Sequence, residues 1–213
     1  MLTLYYSPAA CSVASHIALE ESGAAYEAKQ ILLSKGEQNT PEYRRINPRG
    51  KVPALALEDG AVIVENTAIL TYLARRFPEA QLLPTDPLGE VRCLSMMAWL
   101  SATVHPSYTR IARPERFIED ENAFPKMKES GRKAFWANLQ ELDGLLAGKQ
   151  WTQGAQFTAC DGYALVFYPW AVRIELPVAE LKNYTAFKDR MLERPAVRRV
   201  LEREKSILLP AAA

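Results

Sequence analysis

The hydrophobic positions in the first eighty residues follow two patterns that alternate along the chain. Short apolar runs rich in β-branched and aromatic residues predict strands, and apolar residues three or four positions apart predict helices. Strands are predicted over residues 2–6, 26–33, 52–57 and 61–64, and helices over residues 12–22, 41–46 and 66–76. Asp59-Gly60, between the last two strands, is typical of a hairpin turn. The order βαβαββα implies a small mixed sheet covered by helices.

The pattern changes after residue 84, where Pro84-Thr-Asp-Pro87 is typical of a linker. Beyond it the strand pattern disappears, and helical periodicity predicts helices over residues 89–103, 126–146, 160–172 and 186–192. We therefore expect an α/β domain over residues 1–80 and an all-α domain over residues 88–213.

Composition and charge restrict the kind of partner. The 213 residues carry 26 basic and 25 acidic side chains, a net charge of +1, so no strong field is present to hold nucleic acid or an anionic membrane surface. The apolar run 163–172 is too short to cross a bilayer, and no secretory signal pattern is present. The three cysteines form no C-x-x-C pair, which argues against a zinc ribbon or a disulfide framework. We expect a cytoplasmic protein with a small-molecule partner and no bound metal.

Cys11 is the first candidate for chemistry, because it follows a predicted strand and lies at the first turn of a predicted helix. Free backbone N–H groups and the helix dipole favour an anion there, including a thiolate. A thiol with a pKa of about 8.5 is only ~3% ionised at pH 7, whereas one with a pKa of about 6.5 is mostly ionised. A buried structural cysteine is the alternative. Cys93 and Cys160 lie in helical patterns and are expected in the core.

Two further places combine a strand with a special backbone feature. Pro53 at the start of a predicted strand marks an edge or a bend. If the Val52–Pro53 bond is cis, the N–H and C=O of Val52 can turn towards a ligand; a trans proline is the alternative. Glu65 and Asn66 follow a strand and open a helix, so we expect Asn66 to cap that helix. The N–H groups there suit a carboxylate and Glu65 suits an ammonium group, as in an α-amino acid, and a capped helix without a ligand is the alternative.

The chain has two histidines, and neither forms a nucleophilic pair by local spacing. His105 follows the predicted helix 89–103 and precedes Pro106, a place typical of a capping or surface residue and, alternatively, of a catalytic base. His16 lies five positions after Cys11 and shares no helix face with it.

Four segments form a specific combination when they are taken together. They are Tyr5-Tyr-Ser-Pro-Ala-Ala-Cys-Ser12, Asn47-Pro-Arg-Gly-Lys-Val-Pro-Ala-Leu55, Glu65-Asn66 and Phe157-Thr-Ala-Cys-Asp161, the last containing a capping box. Over essentially its whole length the chain resembles the cytosolic glutathione S-transferases, and the cysteine of the first segment is similar to that of the bacterial beta class. The resemblance implies a thioredoxin-like N-terminal domain, an all-α C-terminal domain and a homodimer with the active site near its interface.

The resemblance also implies contacts to glutathione, the expected co-substrate. Cys11 is expected to contact the glutathione sulfur and to be able to form a mixed disulfide with it. Val52, beside a cis Pro53, is expected to pair with the cysteinyl part, and Glu65 with Asn66 to hold the γ-glutamyl end. The other implied contacts are Lys35 to the glycine carboxylate, His105 near the sulfur and the electrophile, and Ala102, Thr103 and Val104 in the helix segment that lines the site.

Four positions depart from the family pattern. Asn66 stands where serine is usual, Thr103 where an acidic residue reaching across the dimer is expected, and Ala9 where glycine is usual. In the capping box, Gly162 stands where an apolar side chain would pack against Phe157.

The expected function is conjugation of reduced glutathione to small hydrophobic electrophiles, with detoxification as its role. Cys11 has two alternative roles there. It donates a hydrogen bond to the glutathione thiolate, or it attacks a glutathione-bearing disulfide and supports disulfide reductase or peroxidase activity. A non-catalytic interaction module and a protein that sequesters hydrophobic ligands are the alternative functions. Tyr108, Ile111 and Phe117 are candidates for the apolar lining of the second-substrate pocket, and a place in the core is the alternative.

Overall fold

The computed structural model describes residues 1–210, which form a small mixed sheet with covering helices and then a larger set of helices. The sheet has the strand order β2-β1-β3-β4. The strands are β1 (Leu2–Tyr6), β2 (Tyr26–Gln30), β3 (Ala54–Ala56) and β4 (Val62–Val64). Strand β1 pairs in parallel with β2 and antiparallel with β3, and β4 is antiparallel to β3. The predicted order βαβαββα and the thioredoxin-like fold of this part are confirmed.

Ten α-helices accompany the sheet in the described residues. They are α1 (Val13–Glu21), α2 (Pro41–Ile46), α3 (Asn66–Arg76), α4 (Pro87–Trp99), α5 (His105–Ala112), α6 (Phe124–Leu146), α7 (Ala159–Leu165), α8 (Phe167–Arg173), α9 (Lys182–Glu193) and α10 (Pro195–Arg203). The predicted bounds of α2 and α3 are confirmed, because capping by Thr40 and the stop before Pro78 are local signals. Helices α5 and α10 were not predicted from the sequence, and the helix predicted over residues 160–172 is two helices, α7 and α8.

Three predicted strands are shorter in the structure, the fourth strand by one residue, because β4 begins at Val62. The second strand was predicted to reach residue 33 but ends at Gln30, because its partner β1 ends at Tyr6, directly opposite. The third was predicted to begin at residue 52, but its ladder to β1 begins at Ala54. The predicted hairpin turn is present, and Gly60 takes a positive φ of 88° there.

The position predicted for His105 after the end of a helix is wrong. A π-helical turn over Leu100–Val104 joins α4 directly to α5, so that His105 lies within one continuous helical run. Its backbone N–H bonds to the carbonyl of Leu100, five residues earlier. Pro106 has no N–H to donate and its ring would crowd an α-helical carbonyl, and the wider turn accommodates both effects.

One hydrophobic core connects the sheet to the helices of the second part. Buried side chains of β1 and α1, such as Leu4 and Ile17, belong to the same cluster as Tyr163 and Phe167 of α7 and α8. Cys93 and Cys160 are fully buried in this core, as predicted. The fold class is therefore confirmed, whereas the domain boundary between residues 80 and 88 stays a prediction. No helix in residues 1–210 is both long and apolar enough to cross a membrane.

Candidate active site

A cleft of about 1050 Å³ lies between the sheet part and the helices α5 and α8. Of the predicted site residues, the structure brings six together in its lining: Cys11, Val52, Pro53, Glu65, Asn66 and His105. The other four do not line it: Lys35, Ala102, Thr103 and Val104. Lys35, Ala102 and Thr103 are exposed and Val104 is buried in the core. Lys51, which was not singled out in the sequence, is a basic residue that does line the cleft.

The turn that carries Cys11 is held by bonds from both parts of the chain. The Ser12 hydroxyl accepts from the Ser7 N–H and donates to the Ser7 carbonyl, both at 3.1 Å. Ala9 has a φ of 64°, which explains why glycine is usual there. Its carbonyl accepts from the indole N–H of Trp170 at 2.9 Å and from Arg173 at 3.2 Å. Helix α8 therefore fixes the backbone that positions the cysteine.

Cys11 is a thiol in this site rather than a thiolate. Its Sγ donates to the Val52 carbonyl at 3.6 Å, and burial raises the pKa of Cys11 to about 12. Helix α1 begins at Val13. Cys11 therefore lies before the helix and not in its first turn, where the sequence pattern placed it. Desolvation disfavours the charged form more than the backbone and Lys51 favour it. The prediction that this position favours a Cys11 thiolate is therefore wrong.

The backbone N–H groups at this turn remain available for a ligand. Within residues 1–210, neither the Cys11 N–H nor the Ser12 N–H donates to a protein acceptor. Both lie immediately before α1, where the helix dipole favours a bound anion. Beside them, the Val52–Pro53 peptide bond is cis, as the resemblance implied.

Helix α3 begins at the opposite wall, and its first residues differ from the prediction in one respect. Glu65 rather than Asn66 occupies the N-cap position, and no side chain caps the helix. The Asn66 amide instead donates to the Cys11 carbonyl at 2.9 Å and accepts from the Ser15 hydroxyl at 2.7 Å. Asn66 thus ties α3 to the Cys11 turn, which leaves backbone N–H groups of the first turn of α3 for a ligand.

Glu65 combines an unusual backbone with an exposed ion pair. Its φ of 73° places a non-glycine residue in the left-handed region, a feature that concentrates at functional sites. Its carboxylate accepts from Arg49 at 2.8 Å, with both side chains more than half exposed, so the pair adds little stability. The Glu65 carboxylate is accordingly able to exchange Arg49 for another cation.

His105 is half-buried against two aromatic rings at the far side of the cleft. Its ring lies 5.0 Å from that of Trp170 and 6.4 Å from that of Phe167. Burial, together with the positive charges of Arg116 and Lys51, lowers the pKa of His105 to about 4. His105 is therefore neutral at pH 7, and its partly buried ring lines the cleft.

Comparison with known proteins agrees with this geometry. Residues 10–76 match the family model for the N-terminal domain of glutathione S-transferases. Glutathione S-transferase GstA from Escherichia coli O157:H7 is 34% identical over 205 residues, which cover 95% of this chain and 98% of GstA. The chain belongs to the glutathione S-transferase family.

Two solved structures of this family are similar over almost the whole chain. A glutathione transferase homologue from Sulfitobacter, with bound glutathione, has a TM-score of 0.91 at 32% identity and covers 95% of this chain and 98% of its own. A bacterial beta-class glutathione S-transferase from Sphingomonas chungbukensis has a TM-score of 0.85 at 32% identity and covers 97% and 100%. The resemblance to this family and to its bacterial beta class is confirmed.

The late capping box of the family is present, and close packing explains why glycine stands at position 162 in place of an apolar residue. The Asp161 carboxylate accepts from the backbone N–H of Thr158 at 2.7 Å and of Thr152 at 2.7 Å. A side-chain carbon at Gly162 would stand 3.3 Å from Ile17 of α1. Helices α1 and α7 thus approach closely at this glycine, and Phe157 packs against Trp151 instead.

No cluster of three or more metal-ligating side chains occurs in residues 1–210.

Proposed function

We propose that this glutathione S-transferase conjugates reduced glutathione to small electrophiles in the cleft described above. The observation that carries the proposal is the convergence of the Cys11 thiol, the Val52 backbone and the start of α3 on one cleft. These groups match a tripeptide that carries a thiol, a peptide backbone and an α-amino acid end. We also propose the predicted division into two domains, with residues 1–80 binding glutathione and residues 88–213 lining the second-substrate site.

The sulfur of glutathione is best placed beside Cys11. The free N–H groups of Cys11 and Ser12 and the dipole of α1 stabilise a thiolate there. Because its pKa is about 12, Cys11 is protonated and donates its S–H to that thiolate in place of the Val52 carbonyl. The glutathione thiolate attacks the electrophilic carbon, the leaving group departs with the bonding electron pair, and the thiol proton is released to solvent.

The two ends of glutathione have separate partners. The γ-glutamyl carboxylate accepts from N–H groups at the start of α3 while its ammonium group replaces Arg49 at Glu65. Val52 offers backbone groups to the cysteinyl part. Lys51, rather than Lys35, is the basic residue that we propose for the glycine carboxylate, because Lys51 lines the cleft and Lys35 does not.

A homodimer accounts for predicted residues that lie outside the cleft. Ala102 and Thr103 are exposed on the π-helical turn and do not line the cleft of their own chain, as is expected of residues that face a second subunit. Leu88 and Val91 on neighbouring α4 are each 59% exposed, which is unusual for large apolar side chains so close together. Light scattering should give twice the mass of the chain, and Leu88→Glu should shift it to the mass of one chain.

The decisive experiment measures glutathione binding and conjugation separately. Glutathione at a hundred times its Kd should stabilise the fold by about 2.7 kcal/mol, a rise in Tm of roughly 5–11 °C for a chain of this length. Glu65→Gln should reduce the rise, whereas Glu79→Gln, an exposed carboxylate outside the cleft, should not. No rise at saturating glutathione would favour the alternative of a non-catalytic interaction or ligand-sequestering protein.

Cys11→Ala distinguishes the two roles of the cysteine. We expect conjugation of glutathione to 1-chloro-2,4-dinitrobenzene to fall by about tenfold, because one hydrogen bond to a charged sulfur is lost. If reduction of a glutathione mixed disulfide is lost while conjugation is unchanged, Cys11 acts by covalent attack instead.

The proposed location is the cytoplasm, where the three free thiols stay reduced, and the proposed role is detoxification.

A further inference from the structure

Three arginines line the part of the cleft that is formed by the helical domain. They are Arg113 at the end of α5, Arg116 in the turn after it and Arg173 at the end of α8. No carboxylate in residues 1–210 lies within ion-pair distance of any of them. In the part of the chain that the structure describes, the Arg173 guanidinium donates only to the Ala9 carbonyl. This wall of the cleft therefore carries three positive charges without an intramolecular counter-ion.

The acidic residues of the cleft do not cancel these charges. Two carboxylates line it, those of Glu65 and Glu115. Glu65 is paired with Arg49 on the opposite wall, and Glu115 is one charge among three arginines. Of the three candidates for an apolar lining, Tyr108 lines the cleft, whereas Ile111 and Phe117 do not.

A flat aromatic surface accompanies the arginines. The Tyr108 and Trp170 rings both line the cleft and stack at a centroid distance of 4.4 Å and an angle of 23°. Trp170 is 5% exposed and its indole N–H is already donated to Ala9, so Tyr108 presents the aromatic surface to the cleft and Trp170 stacks against it. Planar unsaturated molecules pack well against such surface.

The pKa shifts of Tyr108 and His105, two residues that line the cleft, are consistent with a positive electrostatic field from the arginines. Burial raises the pKa of Tyr108, and the charges of Arg173 and Arg113 oppose that rise. Burial lowers the pKa of His105, and the charge of Arg116 lowers it further. The field of the three arginines thus reaches the rings against which a second substrate would pack.

We propose that the second substrate is a planar aromatic or conjugated electrophile that carries a carboxylate, with its planar part against Tyr108 and its carboxylate beside Arg113, Arg116 and Arg173. The inference rests on the proposed glutathione transferase function. Guanidinium groups bind carboxylates in a bidentate manner. The carboxylates of glutathione have other partners, at the start of α3 and at Lys51.

The kinetic test compares two electrophiles that differ mainly in charge. 4-Chloro-3,5-dinitrobenzoate is an anion at pH 7, and 4-chloro-3,5-dinitrobenzamide is its neutral counterpart. Each kcat/KM is divided by the uncatalysed rate constant with glutathione, because the carboxylate withdraws electrons less strongly. We expect a corrected acid-to-amide ratio of about ten or more at low salt, and a lower ratio in 0.5 M NaCl, which screens the charges.

Variants assign the preference to the arginines. Arg113→Gln and Arg116→Gln should each lower the corrected ratio by about fivefold. Arg110→Gln is the matched control, since Arg110 lies on α5 outside the cleft lining and over the Phe117 ring, and it should leave the ratio as in the wild type. If the two cleft variants raise the KM for glutathione and leave the ratio unchanged, the arginines serve glutathione and the proposal is wrong.

A binding measurement keeps the inference testable if neither electrophile is turned over. Unreactive 3,5-dinitrobenzoate and 3,5-dinitrobenzamide are titrated by calorimetry into the protein saturated with S-methylglutathione. Benzoate binding about tenfold tighter than that of the amide supports the proposal, and equal or weaker binding overturns it. Failure of glutathione itself to raise the Tm would instead count against the proposed function, so the two failures are distinguishable.

Discussion

Replacing Asn66 by alanine tests how the start of α3 is connected to the cysteine turn. Asn66 is 5% exposed, and its side-chain amide bridges the Cys11 carbonyl at 2.9 Å and the Ser15 hydroxyl at 2.7 Å. The Cys11 carbonyl retains a second donor in the variant, the Ala14 N–H at 3.2 Å. The Ser15 hydroxyl retains no acceptor in residues 1–210, and Ser15 is fully buried.

The expected cost follows from these two bonds. Loss of the bond to Cys11 removes about 1 kcal/mol, and an orphaned buried hydroxyl at Ser15 costs about 1–3 kcal/mol. Asn66→Ala should therefore lower the free energy of unfolding by about 2–4 kcal/mol, a fall in Tm of about 4–16 °C for a chain of this size. Asn66→Ala/Ser15→Ala should be less destabilised than the sum of the single variants, by more than about 0.5 kcal/mol, because it leaves no orphaned hydroxyl.

Urea unfolding followed by tryptophan fluorescence measures all three variants. Asn122→Ala is the control, since Asn122 is exposed and bonds only to its neighbour Asp120. A change of less than 0.5 kcal/mol in Asn66→Ala, or strict additivity in the double variant, would refute the bridging role of the amide. The KM for glutathione should rise in Asn66→Ala, because the cysteine turn and α3 lose their direct connection.

Two further predictions concern pH and packing. His105 has a folded pKa of about 4, below an unfolded value of about 6.5, so the unfolded state binds its proton more tightly; stability is lost as the pH falls from 6.5 to 4, by up to about 3 kcal/mol. In His105→Gln the free energy of unfolding should depend less on pH between 6.5 and 4 than in the wild type. If the two proteins lose stability in parallel over this range, His105 is not the group that titrates. Gly162→Leu should cost about 1–3 kcal/mol by overpacking against Ile17, whereas Gly144→Leu, in open space on α6, should be neutral or stabilising in the same denaturation assay.

The element order and several helix ends were predictable because their signals are local. Thr40 at the start of α2 is a local signal of this kind, as is the capping box of Thr158 and Asp161 at the start of α7. The bounds of strands were less predictable, since a strand ends where its partner ends, as Gln30 does opposite Tyr6. The π-helical turn before His105 was not predictable either, because periodicity does not show how a helix accommodates Pro106.

The parts of the candidate site that lie in short sequence motifs were predictable. The parts that depend on burial and on nearby charges were not. Val52, Pro53 and Glu65 stand in short motifs, and the structure places all three in the cleft. The partner of the Asn66 amide, the pKa of Cys11 and the arginines opposite them depend on segments far apart in the chain. His16 shows the same limit, because its buried partner Glu204, at 2.7 Å, lies 188 residues later.

The sequence by itself therefore determined the succession of strands and helices in the sheet part, the family and the short motifs that the structure brings to the cleft. Turn chemistry, capping and hydrophobic periodicity act over a few residues and are encoded wherever those residues stand. Only the tertiary structure decided that Cys11 is a protonated donor and that three arginines line the wall of the cleft near α5 and α8. Desolvation and electrostatic fields depend on which side chains surround a group, and α5 and α8 meet the cysteine turn only after the chain has folded.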